Sequence, residues 1–387
     1  MVAIGGNVDA RFENLTRTFG ELLASGKEVG ASIAVTYQGD LVIDAWGGYV
    51  DEQQSTPWRQ DTITNVFSSG KTLIALSALF LADQGELDVD QPVATYWPEF
   101  ASNGKDGVLV RHLMSHSSGL MGWDAPFAYG DLYDWEKATS TLAAQKPWFT
   151  PGSRSGYHMM SYGYLVGEVV RRISGRTPNA FLQSEFSELL NGDFYFGVPD
   201  SEMPRYAPFV YPEVRFPRLL RAVAESKVGR KMLGLQIKTI MSPPQDPAVA
   251  RSAGIASDVP IQAYGNARGL ARVQSIIVNH GEVGGKRYLR DSTIEKIFRV
   301  QTDGRDAFFR KPLTWGIGYA LARPGTNEDL GGRVAFWQGF GGSRIVAAVD
   351  QNCTFSYVMN KGMPGLLGDE RGDALLQALA RDLASLN

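Results

Sequence analysis

Strand-forming runs stand at the two ends of this 387-residue chain, around a mostly helical middle. Near the start, "GASIAVTYQGDLVIDAWGGYV" (residues 30–50) holds two β-rich runs about a Gln38-Gly39-Asp40 turn, the pattern of a hairpin. Near the end, "RVAFWQGFGG", "SRIVAAVD" and "CTFSYVMN" (residues 333–360) read as three successive strands. That order constrains the fold more than any other feature of the chain. Helical spacing of apolar residues predicts an amphipathic helix in "ENLTRTFGELLASG", ending near Gly26, and a last helix in "DALLQALARDLASL". Ser68 to Ala82 reads as a buried helix stopped near Gly85. Its apolar part, Thr72 to Ala82, is well short of the roughly 20 residues of a membrane span.

Between these parts, Tyr206 to Pro260 is rich in proline and aromatic residues without clear periodicity. It reads as long loops and short helices over one face, either a lid or substrate wall or plain surface packing. No internal repeat and no low-complexity tract occurs. The net charge of −3 and the lack of a basic block favour neither nucleic acid nor a membrane surface as partner. A single cysteine, Cys353, excludes an internal disulfide and a Cys-rich metal site. The first residues become acidic before any long apolar run, unlike a signal peptide, so the expected location is cytoplasmic.

Two chemistries can claim Gly70-Lys71-Thr72 in "TNVFSSGKTLIALSALF". A phosphate-binding loop needs a glycine five positions before Gly70, and that position is Asn65. A serine nucleophile needs only Ser68 and Lys71, which lie on one face at a helix start. There the ammonium and the positive end of the helix dipole both favour an alkoxide. A second Ser-x-x-Lys, Ser102 to Lys105, sits in a Gly-containing loop with no helix after it and is discounted. No Gly-x-Ser-x-Gly elbow occurs. His112 and His116 have the i, i+4 spacing of a metal pair, but the turn that follows favours structural hydrogen bonds at His116.

"FSSGKT", "VRHLMSHSSGL", "PGSRSGYHMMSYGYLVGEVVRRISGR", "GNARGLARV" and "WQGFGGS" occur in one order, and together they resemble the serine β-lactamase and penicillin-binding-protein superfamily. The resemblance is greatest to class C β-lactamase-like carboxylesterases, the family VIII esterases, and runs from about Val29 to Lys361. It implies an α/β (α+β) fold: a mainly antiparallel sheet flanked by helices, plus a mostly helical domain. The implied α/β domain gathers residues 1–76, 150–172 and 255–387; residues 77–149 begin the helical domain, and 173–254 form a helical or lid region.

By the same resemblance Ser68 would be the nucleophile, Lys71 its partner and Tyr157 the tyrosine of the second motif. Trp337, Gln338 and Gly339 stand where β-lactamases have Lys-Thr-Gly, and would contact substrate. The oxyanion hole would be the backbone N–H groups of Ser68 and Phe340, with Gly341 and Gly342 letting the strand approach substrate. Two positions depart from the β-lactamase pattern: Tyr157-His158-Met159 replaces Tyr-x-Asn, and Trp337 replaces a lysine. An indole in place of a cation favours an uncharged acyl substrate over an anionic one. His158 is expected to pack rather than react.

The implied reaction is two-step acyl transfer through Ser68, with a small-molecule acyl ester as substrate and no metal or organic cofactor. A Lys71 cation would lower the Tyr157 phenol from its usual value near 10. Tyr157 would then relay the Ser68 proton, and the sequence leaves open whether it or Lys71 is the base. The alternatives are transfer to an alcohol or amine acceptor or carrier, β-lactamase or D-amino-acid peptidase activity, which Trp337 disfavours, and a non-enzymatic binding protein. Intact Ser68, Lys71 and Tyr157 argue against the last.

Overall fold

The computed structural model describes residues 4–124, 126–212, 234–236, 238–240, 242 and 258–386. Most of the segment expected to act as a lid, Tyr206 to Pro260, lies outside them.

The two ends of the chain do share one sheet. Among the described residues its nine strands run β1 (Gly5–Val8), β2 (Gly30–Tyr37), β3 (Asp40–Gly48), β4 (Thr302–Arg305), β5 (Pro312–Trp315), β6 (Ala320–Leu321), β7 (Val334–Gln338), β8 (Arg344–Ala348) and β9 (Cys353–Met359). Their spatial order is β1-β3-β2-β9-β8-β7-β6-β5-β4. Every pairing in it is antiparallel. The join is β2 against β9, where Val35 lies opposite Phe355 and Ile33 opposite Tyr357. The hairpin turn is a two-residue loop with both residues left-handed, Gln38 at φ 52° and Gly39 at φ 92°. That conformation matches the twist of the flanking strands.

Alternation along the strands gives the sheet two faces. Ile33, Val35, Val346 and Phe355 pack on Leu15 and Phe19 of α1 (Glu13–Ala24) and on Leu375 and Leu379 of α5 (Glu370–Leu386). Ala34, Ile345, Ala347 and Val358 face α4 (Ala267–Val278) through Leu270, Val273 and Ile277. Small and hydroxylated residues let α4 lie close: the Thr36 and Thr354 hydroxyls meet at 2.6 Å, and Thr354 donates to the Ala271 carbonyl at 3.3 Å. Each large aliphatic or aromatic side chain so buried contributes about 1.5–3 kcal/mol.

Beyond α4 lies the helical part of the chain. Its centre is α2 (Lys71–Asp83), in which eleven of thirteen residues are buried, packed against α3 (Tyr162–Ser174). An apolar helix with no polar face fits only such a place. Its buried C-terminal part fixes the helix, and its first residue, Lys71, opens onto the site.

Candidate active site

The turn that carries Ser68 is built by its neighbours. Val66 donates its N–H to the Ala263 carbonyl at 2.7 Å, and the Asn65 side chain accepts the Phe67 N–H at 2.8 Å. Asn65, which denies the chain a phosphate loop, thus braces the serine turn instead. Phe67 is held at φ 47°, a costly conformation for an aromatic residue, directly before Ser68. Phe67–Gly70 then make a 3-10 turn, and α2 begins at Lys71. Ser68 therefore precedes the α-helix rather than lying in its first turn.

Lys71 Nζ sits 3.0 Å from Ser68 Oγ. Burial pushes the Lys71 ammonium down to about 7. The phenol of Tyr157, 3% exposed, moves the other way: burial raises it well above its usual range, and hydrogen bonds to Ser68 and Trp337 offset only part of the rise. This reverses the expectation that a Lys71 cation lowers Tyr157. The rings of Phe309, Trp315 and Trp337 surround Tyr157, and Lys71 Nζ lies 5.2 Å from the Tyr157 ring centroid, so burial disfavours the phenolate and the ammonium alike. Near neutral pH the neutral pair, amine and phenol, is thus the accessible one.

Strand β7 and the turn after it close the opposite side. Trp337 is 3% exposed and donates its indole N–H to the Tyr157 oxygen at 3.2 Å. Its ring lies 5.0 Å from that of Tyr157 and 4.6 Å from that of Trp315. Gln338, next along the strand, has its side-chain oxygen beside Gly368, near the start of α5, where the Arg344 guanidinium also lies. Gly339 is the glycine of close approach, because a Cβ there would collide with the Val66 carbonyl and the Ser343 hydroxyl. That hydroxyl donates to the Val66 carbonyl at 2.9 Å and meets Ser69 Oγ at 3.0 Å, tying the strand to the serine turn. Gly341 and Gly342, expected to let the strand lie close to substrate, are also required by the backbone itself. Both have left-handed backbone, at φ 83° and 128°, and they abut Phe209 and Asp369.

Of the remaining candidates, Ser102 and Lys105 do not pair through their side chains. Lys105 Nζ donates to the carbonyls of Ser102 at 2.6 Å and Gln145 at 2.5 Å, a loop-closing role. His112 Nδ1 accepts the Leu109 N–H at 3.2 Å, and His116 Nδ1 accepts the His158 N–H at 3.0 Å. Each imidazole thus accepts a backbone N–H, His112 from its own turn and His116 from the segment that carries Tyr157. His158 is fully buried against Ser118, at 3.2 Å, and burial holds it down at about 3. Among the described residues no group of three or more His, Cys, Asp or Glu could hold a metal ion. Cys353 is buried, which pushes its thiol up to about 12 and leaves it inert.

Sequence reasoning passed over Asp306. This buried carboxylate accepts N–H groups from Phe308 at 2.8 Å, Phe309 at 3.1 Å and Tyr157 at 3.4 Å. It positions the backbone of Tyr157, while Phe309 places its ring 4.9 Å from the phenol ring. Nothing in a lone Asp amid a polar stretch marks that role.

Serine, amine, phenol and indole thus meet between the helical part and the edge of β7, and known proteins share the arrangement's frame. Residues 15–380 match the beta-lactamase family. The esterase/beta-lactamase LipL of Mycobacterium tuberculosis is 29% identical over 98% of this chain and 88% of its own length. A crystal structure of a family VIII carboxylesterase superposes with a TM-score of 0.87 at 31% identity, covering 98% of this chain and all of that one. A penicillin-binding-protein homologue from Caulobacter crescentus gives 0.86 at 32% identity, again over 98% of this chain and all of its own. The chain belongs to the beta-lactamase family, among serine hydrolases of the esterase and β-lactamase type.

Proposed function

We propose that the protein is a serine carboxylesterase acting on uncharged, small or medium acyl esters through a Ser68 acyl-enzyme. The observation that carries this is Trp337. Where β-lactamases place a lysine, this chain has a buried indole hydrogen-bonded to Tyr157. An anionic substrate carboxylate would find no countercharge at that position, and its desolvation would go uncompensated. The flank of Ser68 is apolar as well. The rings of Phe67 and Phe340 lie 5.4 Å apart, and Phe209 lies 4.7 Å from Phe67.

In this mechanism the neutral Lys71 amine takes the Ser68 proton as Oγ attacks the ester carbonyl. The Ser68 and Phe340 N–H groups hold the oxyanion, each such donor lowering the barrier by about 3–4 kcal/mol. The Lys71 ammonium then returns its proton, through the Tyr157 phenol, to the leaving alcohol. Water repeats the sequence on the acyl-enzyme. The Trp337 indole keeps the phenol oxygen oriented throughout.

The test is a panel of short-chain aryl esters beside a chromogenic cephalosporin, with intact-mass analysis after a phosphonate probe. A single adduct at Ser68, loss of hydrolysis in Ser68→Ala, and kcat/KM far higher for esters are expected. Comparable kcat/KM for the cephalosporin would defeat the substrate assignment. Running the panel with an added alcohol or amine separates hydrolysis from acyl transfer.

A further inference from the structure

We propose that Arg371, at the start of α5, is a positioning residue that fixes the direction of the Phe340 N–H. The proposal rests on the reading of that N–H as an oxyanion donor.

Arg371 is fully buried, yet every arm of its guanidinium is engaged. Nη2 donates to the Gly341 carbonyl at 2.8 Å and to Asp369 at 2.7 Å, while Nε donates to Asp369 at 3.2 Å. Nη1 donates to Glu28 at 2.9 Å and to the Lys361 carbonyl at 2.8 Å. A buried cation so placed adds little net stability over an apolar side chain of similar volume, and is weak evidence for a purely structural role. Its distinctive contact is the one with Gly341.

Peptide planarity carries that contact to the oxyanion hole. The Gly341 carbonyl and the Gly342 N–H belong to one rigid peptide unit. Gly342 donates its N–H to the Gly339 carbonyl at 3.2 Å. The Gly339 carbonyl and the Phe340 N–H belong in turn to one unit, and point in opposite directions. Pinning Gly341 therefore pins Gly342, then Gly339, and so aims the Phe340 N–H. The turn needs such a clamp. Gly341 and Gly342 both have left-handed backbone, and as glycines they resist rotation least. The Met363 N–H adds a second donor to the same Gly341 carbonyl at 3.1 Å. Asp369 grips two nitrogens of Arg371 as a fork and so sets the angle of the plane.

The experiment compares an aryl oxoester with its thionoester, whose sulfur accepts hydrogen bonds poorly, in wild type, Arg371→Lys and Asp369→Asn. Rates are normalised to active sites titrated with a phosphonate, so that misfolded protein does not count. Lysine keeps the charge but cannot form the fork. Loss of oxyanion alignment should lower kcat for the oxoester by about tenfold or more with KM little changed, and should shrink the oxo/thiono ratio of kcat/KM by a similar factor. Asp369→Asn should move both in the same direction by a smaller amount. An unchanged ratio in the titratable fraction of either variant would overturn the clamp. A wild-type ratio near one would instead refute the oxyanion assignment of Phe340, and failure of Ser68→Ala to abolish hydrolysis would refute the acyl-enzyme.

Discussion

Trp337 donates its indole N–H to the phenol oxygen of Tyr157 at 3.2 Å, in the place where β-lactamases carry a lysine. A neutral donor thereby replaces a cation beside the second-motif tyrosine. It can orient the phenol and steady transient negative charge there, but offers an anionic substrate little.

Trp337→Phe keeps an aromatic ring at this position and removes the donor. A neutral hydrogen bond is worth about 0.5–1.5 kcal/mol, so kcat for a good ester should fall roughly two- to thirteenfold. KM should change less. Steady-state kinetics on one aryl ester measures both, and an unchanged kcat would show that the 3.2 Å contact has no part in turnover.

Gly339→Ala should damage the enzyme more than its size suggests. The added methyl meets the Val66 carbonyl and Ser343 Oγ, both fixed by the bonds that join β7 to the serine turn. Overpacking of this kind costs about 1–3 kcal/mol. A lowered melting temperature together with a kcat loss is expected. Loss of stability with undiminished kcat would mean that the approach of β7 does not set the site's geometry.

Tyr157→Phe removes one oxygen and leaves the ring in its cluster with Trp337 and Phe309. Lost proton transfer should cost roughly 10²–10⁴-fold in rate. If the phenol relays for Lys71, the Lys71→Ala, Tyr157→Phe pair should lose little more than Lys71→Ala alone. Additive losses would mean the two residues act separately.

Continuous apolar, β-branched runs in the hairpin and in β7, β8 and β9 made about half of the sheet legible, because β2, β7, β8 and β9 are buried on both faces. The other strands left little trace. The "TDGR" of β4 is mostly exposed at the edge, and β6 is two residues long. At the site, Ser68, Lys71, Tyr157 and Trp337 were legible from ordered motifs, and the structure brings them together. Asp306 and Arg371 were not, since the contacts of Asp306 with the Tyr157 N–H and of Arg371 with the Gly341 carbonyl join groups far apart in sequence, and no local pattern marks them. The direction of the Lys71 and Tyr157 shifts was also hidden. It depends on how deeply side chains from several segments bury both groups, which the sequence does not display.

Lys71 should impose an acid limb on the rate. Burial holds its amine at about 7, far below the usual lysine value of 10.5. The base form thus predominates above about 7, and kcat/KM should fall as pH drops through that value. The same shift bears on stability. The unfolded chain protonates Lys71 below about 10.4, whereas the folded protein resists until about 7. Stability from this group is therefore present above pH 10 and lost progressively down to about 7, below which the penalty stays constant. Lys71→Met removes the penalty and keeps the apolar stem. That variant should be inactive, yet melt above wild type at pH 6 to 7, with the difference shrinking as pH rises toward 10. Lys71 retains partial solvent access, so the gain should be smaller than the full shift implies. A rate profile flat from pH 5 to 9, or a Lys71→Met variant that melts below wild type at neutral pH, would show the ammonium to be the resting form and return the base role to Tyr157.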